Sequence, residues 1–197
     1  MIRLYRLTAL GLAAAALALA PLTASAEWQL DAERSQLAFI SVKNASVGEI
    51  HHFRDLRGGV DDDGSASVTV ELASVDTAIP IRDERMRKML FETASFPQAT
   101  LSASVDAALL DEAGTAPLVA TVPVTVALHG SEVDYEAELL LSLSADGALH
   151  VLTRRPILVD VADFDLGSGV DALRRVAGLD SISSAVPVTA HLVFASE

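Results

Sequence analysis

Strict alternation of apolar and polar positions dominates the chain. Val68, Val70 and Leu72 are interleaved with Thr69 and Glu71, and Leu101, Ala103 and Val105 with Ser102 and Ser104. Val122, Val124, Val126 and Leu128 follow the same rhythm, as do Val133, Tyr135, Ala137, Leu139, Leu141 and Leu143. Val186, Val188, Ala190, Leu192 and Phe194 repeat it once more. Successive side chains of a strand point to opposite faces, so a period of two predicts strands with one buried and one wet face. Antiparallel sheets have that character. Asp61-Asp62-Asp63-Gly64, His129-Gly130 and Ala145-Asp146-Gly147 each separate two alternating runs and read as hairpin turns. Pro123 and Pro187 cannot donate to a ladder, which places them at a bulge, an edge or a strand start. Ala113 to Pro117 reads as a flexible loop.

Two segments break the rhythm. In Pro80 to Phe91, Met86, Met89 and Leu90 share a helical face while Arg82, Arg85, Arg87 and Lys88 point elsewhere. In Gly169 to Leu179, Leu173, Val176 and Ala177 share a face, with Ser168 and Asp171 as a capping pair and Gly178 as a stop. Many hairpin-connected strands with two short helices predict an all-β, antiparallel barrel, because closure removes reactive sheet edges. A barrel of about eight strands is filled by its own side chains or holds one small ligand.

The first residues are organised differently. Arg3 and Arg6 precede an apolar run, Leu7 to Ala20, which ends at Pro21 and is followed by Ala24-Ser25-Ala26. This is the three-part pattern of a secretory signal, and the run falls short of the roughly 20 apolar residues a membrane span requires. The expected organisation is a signal peptide over 1–26 and one domain over 27–197, exported to the periplasm. Acidic residues number 27 against 14 Lys and Arg, a formal net charge of −13, and loss of Arg3 and Arg6 makes the exported part more acidic still. Such a surface repels phosphate backbones, which argues against nucleic acid as a partner. Without cysteine there is no disulfide, thiol nucleophile or covalent haem attachment, and stability rests on the core.

The chemistry-bearing residues point away from catalysis. No Gly-x-Ser-x-Gly elbow accompanies the serines and aspartates, so no catalytic residue is assigned and the chain is read as a non-enzyme. Adjacent His51 and His52 face opposite sides of a strand and cannot chelate together. Glu49 and His51 share a face but make half of a usual zinc site, so no metal ligand and no cofactor is assigned. Asp61-Asp62-Asp63 lacks the spaced ligands of a calcium loop and reads as a polar turn. The cluster Arg82, Arg85, Arg87 and Lys88 is the one basic concentration. It is either a solvated helix face paired with Asp83 and Glu84, or a group at the barrel mouth that steers an anionic head group. Arg154-Arg155 offers a weaker version.

Several elements in order resemble the YceI-like family. Its central signature is matched by Ser74-Val75-Asp76-Thr77, Arg82-Asp83, Met86-Arg87, Leu90-Phe91, Phe96-Pro97 and Ala99-Thr100-Leu101 with Ser102 and Ser104. Upstream, Ser35, Phe39, Phe53-Arg54-Asp55-Leu56 and Gly58 fit; downstream, Leu128-His129-Gly130 and Asp163-Phe164 do. The chain departs from the pattern at Lys43, where many members have histidine, at His51, where glycine is common, and in the helix near Leu173. The resemblance implies a lipocalin-like periplasmic barrel that binds polyisoprenoid or similar amphiphilic chains. Aromatics and methionines, which adapt to irregular apolar ligands, then become cavity candidates. The ligand-binding set expected on this basis is Phe39, Phe53, Met86, Leu90, Phe91, Phe96 and Leu101, with Arg85 and Arg87 at a head group. The expected function is a carrier for an isoprenoid or quinone-like chain. The alternative is an accessory protein that docks transiently on a membrane redox or transport partner, with an incidental cavity.

Overall fold

The computed structural model describes residues 28–196, so the segment read as a signal peptide lies outside the described residues. Strands are β1 (Trp28–Leu30), β2 (Gln36–Lys43), β3 (Val47–Phe53), β4 (Leu56–Val60), β5 (Ser65–Glu71), β6 (Val75–Asp76), β7 (Gln98–Ser104), β8 (Leu118–Leu128), β9 (Ser131–Leu143), β10 (Leu149–Thr153), β11 (Ile157–Asp160) and β12 (Ala185–Ser196). Helices are α1 (Pro80–Arg85), α2 (Ala107–Thr115) and α3 (Gly167–Ala177).

Eight strands close into an antiparallel ring in the order β1-β4-β5-β7-β8-β9-β10-β12 and back to β1. The fold class expected from the alternation is therefore present. Closure is made by Phe194↔Leu30 and Trp28↔Ser196, and the Trp28 indole N–H donates to the Gly147 carbonyl at 3.1 Å. The first half of β12 carries β11 on one edge and β2 on the other, and β2 continues into β3 and β6. Beyond the closed ring the wall therefore opens into a flap of three strands. The predicted inward positions, among them Val70, Val122, Leu141, Leu192 and Phe194, form the core.

The expected hairpin turns join β4 to β5, β8 to β9, and β9 to β10. Leu128 pairs with Ser131, which leaves a two-residue loop whose residues both have positive φ, His129 at 51° and Gly130 at 84°. That geometry matches the twist of the flanking strands. Pro123 sits just before β8 meets β7, and Pro187 just before β12 meets β2. Neither proline blocks a ladder bond.

The helices differ in part from expectation. Residues 107–115 form a third helix, so Ala113 to Pro117 is not the free loop the sequence suggested. The Asp106 carboxylate caps it by accepting from the Ala108 N–H at 2.9 Å, and Leu110 and Ala113 are buried. With only two inward residues in an Ala/Gly-rich run, the helical period is too faint to see. Helix α3 begins at Gly167 without a side-chain cap, so Ser168 does not pair with Asp171 as expected; Asp171 accepts from Arg174 instead. Phe164, fully buried, and Leu166 anchor the entry to α3 and set its earlier start. The predicted stop holds, with Gly178 at φ 64°.

After α1 the chain widens into one π-helical turn, Met86–Leu90, in which the Phe91 N–H donates to the Met86 carbonyl at 2.9 Å. Helix α3 crosses this turn at Gly169. A Cβ there would lie 2.6 Å from the Met89 carbonyl oxygen and 2.8 Å from the Leu90 Cα, so the crossing requires glycine. Together α1, the π turn and α3 flank the opening between the strand flap and β11–β12.

Candidate ligand cavity

Three cavities follow one another through the interior. The outermost, about 320 Å³, opens between α1 and α3 and reaches Phe39, Lys43, Glu49 and His51 on β2 and β3. It shares Phe39, Leu90, Val161 and Val186 with a second cavity of about 160 Å³, lined by apolar residues alone. The second shares Leu101 and Ile157 with a third, about 100 Å³, which ends against Leu110 of α2. A separate trough of about 790 Å³ lies over β4, β5, β7 and β8; it is open and lined largely by Gly, Ser and Thr.

The expected ligand-binding residues divide accordingly. Phe39 and Leu90 line both the mouth and the second cavity, and Met86 and Arg85 line the mouth. Phe53, Phe91 and Leu101 line the second cavity. Phe39, Phe53 and Phe91 form a chain of tilted rings with centroids 5.5 and 5.7 Å apart, a geometry that aromatic pairs favour. The structure places two residues elsewhere. Phe96 packs on the His129 ring, centroids 4.2 Å apart, and covers Gly130 at the β8–β9 turn. Arg87 donates to the Ala73 carbonyl on the outer side of its turn.

A polar cluster at the mouth was not in the expected set, although Glu49 and His51 were read as sharing a face. Glu49 accepts from Lys43 at 2.8 Å and from Arg82 at 2.9 Å, and these partners hold its carboxyl below the usual range against the opposing effect of burial. His51, 2% exposed, meets the Ser41 hydroxyl at 2.9 Å through Nε2. Burial first, then the nearby Arg82 charge, lowers its pKa and keeps the ring neutral. His51 Nδ1 and Arg82 Nε are buried without hydrogen-bond partners among the described residues. His52 faces the opposite side and approaches Asp76 at 3.3 Å, as alternation requires.

Many of the motif residues build the helix at the mouth. The Asp83 carboxylate accepts from the Thr77 N–H at 2.9 Å and from the Thr77 hydroxyl at 2.5 Å, and Arg82 donates to the Thr77 carbonyl at 2.7 Å. Ser74 accepts from the Arg54 and Asp55 amides. The basic cluster thus mixes both readings of the sequence: Lys88 pairs with Glu84 at 2.6 Å, while Arg82 and Arg85 line the mouth. Arg154 and Arg155 both pair with Glu138. Among the described residues, no three His, Asp or Glu side chains gather as a metal site, and no helix is long and apolar enough to cross a membrane.

A closed eight-stranded antiparallel barrel whose apolar interior opens at one end is of the lipocalin-like class. The chain belongs to the YceI-like family, whose YceI-like domain model matches residues 28–194. A polyisoprenoid-binding domain from Saccharophagus degradans, implicated in plant cell wall breakdown, is 37% identical with a TM-score of 0.83. That match covers 88% of this chain and all of the other. BcnA from Burkholderia cenocepacia shares the fold at 17% identity and TM-score 0.63, over 83% of this chain and 98% of that one. A YceI protein from Campylobacter jejuni does so at 16% and 0.54, over 75% and 84%. No curated protein gives a significant match.

Proposed function

We propose that this chain is an exported, non-catalytic carrier that holds one hydrophobic or amphiphilic chain, isoprenoid or quinone-like, along the barrel axis. The carrying observation is the succession of three cavities that share lining residues, the middle one wholly apolar. Such a track matches an extended apolar chain better than a compact substrate. The polyisoprenoid-binding relative from Saccharophagus degradans supports the same class of ligand. Removing apolar area from water drives such binding. At about 30 Å³ per chain atom the three cavities of about 320, 160 and 100 Å³ hold roughly nineteen atoms, which at ~0.3 kcal/mol each contribute ~6 kcal/mol. The polar mouth accounts for an amphiphile rather than a pure hydrocarbon. His51 Nδ1 and Arg82 Nε are unpaired there, and an oxygen-bearing head group gives each a partner.

The test is solvent extraction of the protein purified without detergent, followed by mass spectrometry. A lipid recovered at one per chain is expected. Recovery of no lipid, together with failure to bind an added isoprenoid analogue, would refute the carrier.

A further inference from the structure

The rim of the mouth is built unlike the rest of the surface. Seven large apolar side chains are strongly exposed among the described residues. Three of them, Ile79 (43%), Ile81 (53%) and Val176 (45%), line this one opening from the α1 and α3 sides. The same two segments concentrate positive charge. Arg82, Arg85, Arg87, Lys88, Arg174 and Arg175 are six of the 14 basic residues in a chain with 27 acidic ones. Of the three carboxylates on these segments, Glu84 and Asp171 are held by Lys88 and Arg174, and Asp83 by the Thr77 N–H and hydroxyl. Arg85 and Arg175 make no ion pair or side-chain hydrogen bond among the described residues. Arg85 stands one helical turn beyond Ile81 on the same face of α1, and Arg175 adjoins Val176. Each helix thus offers an exposed aliphatic group beside an unpaired cation.

We propose that the cavity mouth docks on the surface of an anionic phospholipid bilayer, with α1 and α3 at the level of the head groups. The proposal rests on the carrier reading, because at such a contact an apolar chain passes from bilayer to barrel without crossing water. Interfacial helices combine these two elements, apolar side chains for the acyl boundary and basic ones for the head groups. The acidic remainder of the barrel sets the orientation. The rest of the chain holds most of the 27 acidic residues and is repelled by an anionic bilayer, a repulsion screened beyond about 8–10 Å at physiological salt.

Flotation of the chain that begins at Glu27 tests this, using vesicles of phosphatidylcholine alone and of phosphatidylcholine with phosphatidylglycerol. The expected result is binding to the phosphatidylglycerol vesicles that weakens as salt is raised. Ile81→Asn with Val176→Asn lowers it at least tenfold, on the order expected for losing two inserted aliphatic groups. Arg85→Gln and Arg175→Gln lower it about 5-fold each, on those vesicles alone. Leu158→Asn, at a site 65% exposed on β11 and outside the lining of the mouth, binds as the parent. Thermal melting confirms that these surface variants stay folded. The docking face is overturned if the parent ignores phosphatidylglycerol vesicles, if the rim variants bind like the parent, or if Leu158→Asn is equally impaired. Capture by native membranes but not by protein-free vesicles also overturns it, in favour of an acidic protein partner. Binding of an isoprenoid analogue in vesicle-free solution is read separately. Analogue binding without vesicle binding keeps the carrier and overturns the docking face, whereas vesicle binding alone upholds the docking face and overturns the carrier.

Discussion

Val186→Phe separates the mouth from the interior without touching the polar cluster. Val186 is half-buried on β12 and lines both the 320 Å³ mouth and the 160 Å³ second cavity. A phenyl ring there enters existing space, so the cost of overpacking should stay at the low end of ~1–3 kcal/mol. It would deny a ligand the second and third cavities, about 160 and 100 Å³. At about 30 Å³ per water-sized group these hold about nine chain atoms. At ~0.3 kcal/mol each the loss is ~2.7 kcal/mol, about a hundredfold in affinity. A ligand short enough for the mouth alone should lose almost nothing. The assay is fluorescence titration with short- and long-chain isoprenoid analogues, run beside thermal melting of the unliganded variant. A long analogue that binds Val186→Phe as tightly as the parent would refute a continuous track. An equal loss for both lengths with unchanged melting would place the whole ligand outside the inner cavities.

Four further outcomes are expected. Arg85→Ala should weaken an anionic-headed analogue in vesicle-free solution, more at low salt, whereas Arg87→Ala should not, because Arg87 is turned to Ala73; titration of both variants decides. Stability should fall as pH drops below about 6.5, since the unfolded chain protonates His51 while burial and Arg82 keep it neutral in the fold. Denaturant melts of His51→Gln should lack that slope, and losses tied to Glu49 and Asp76, whose pKa values are lowered, fall at still lower pH. Phe164→Ala, at a fully buried position, should cost ~3–5 kcal/mol in the same melts. N-terminal sequencing of the exported protein should begin at Glu27, and Met1 retained on a membrane-bound form would contradict export.

The barrel was legible because its strands have one wet face, so alternation and turn residues mark nearly every hairpin. Helix α2 was not, because a short Ala-rich helix with two inward residues leaves almost no period. The cavity was half legible. Phe39, Phe53 and Phe91 could be singled out by residue type, but Phe96 is the same type and serves a turn. Only the fold shows that its ring is drawn over Gly130. The polar mouth was harder still. Lys43 and Glu49 face each other across the β2–β3 hairpin, but Arg82 lies 33 residues beyond Glu49 and joins them only because α1 folds over that hairpin. Their charges look like ordinary surface until the register Ser41↔Glu49 and Phe39↔His51 places Glu49 and His51 beside Phe39.

Strand β12 pairs with β10, β11, β1 and β2. A chain delivered N-terminus first, from a ribosome or through a pore, therefore holds β1 and β2 with open edges until residues 185–196 arrive. No closed ring precedes that moment, and the pairing that completes it joins the most distant strands of the sequence, a topology associated with slow folding. Until then their exposed edges are open to aggregation or to a chaperone.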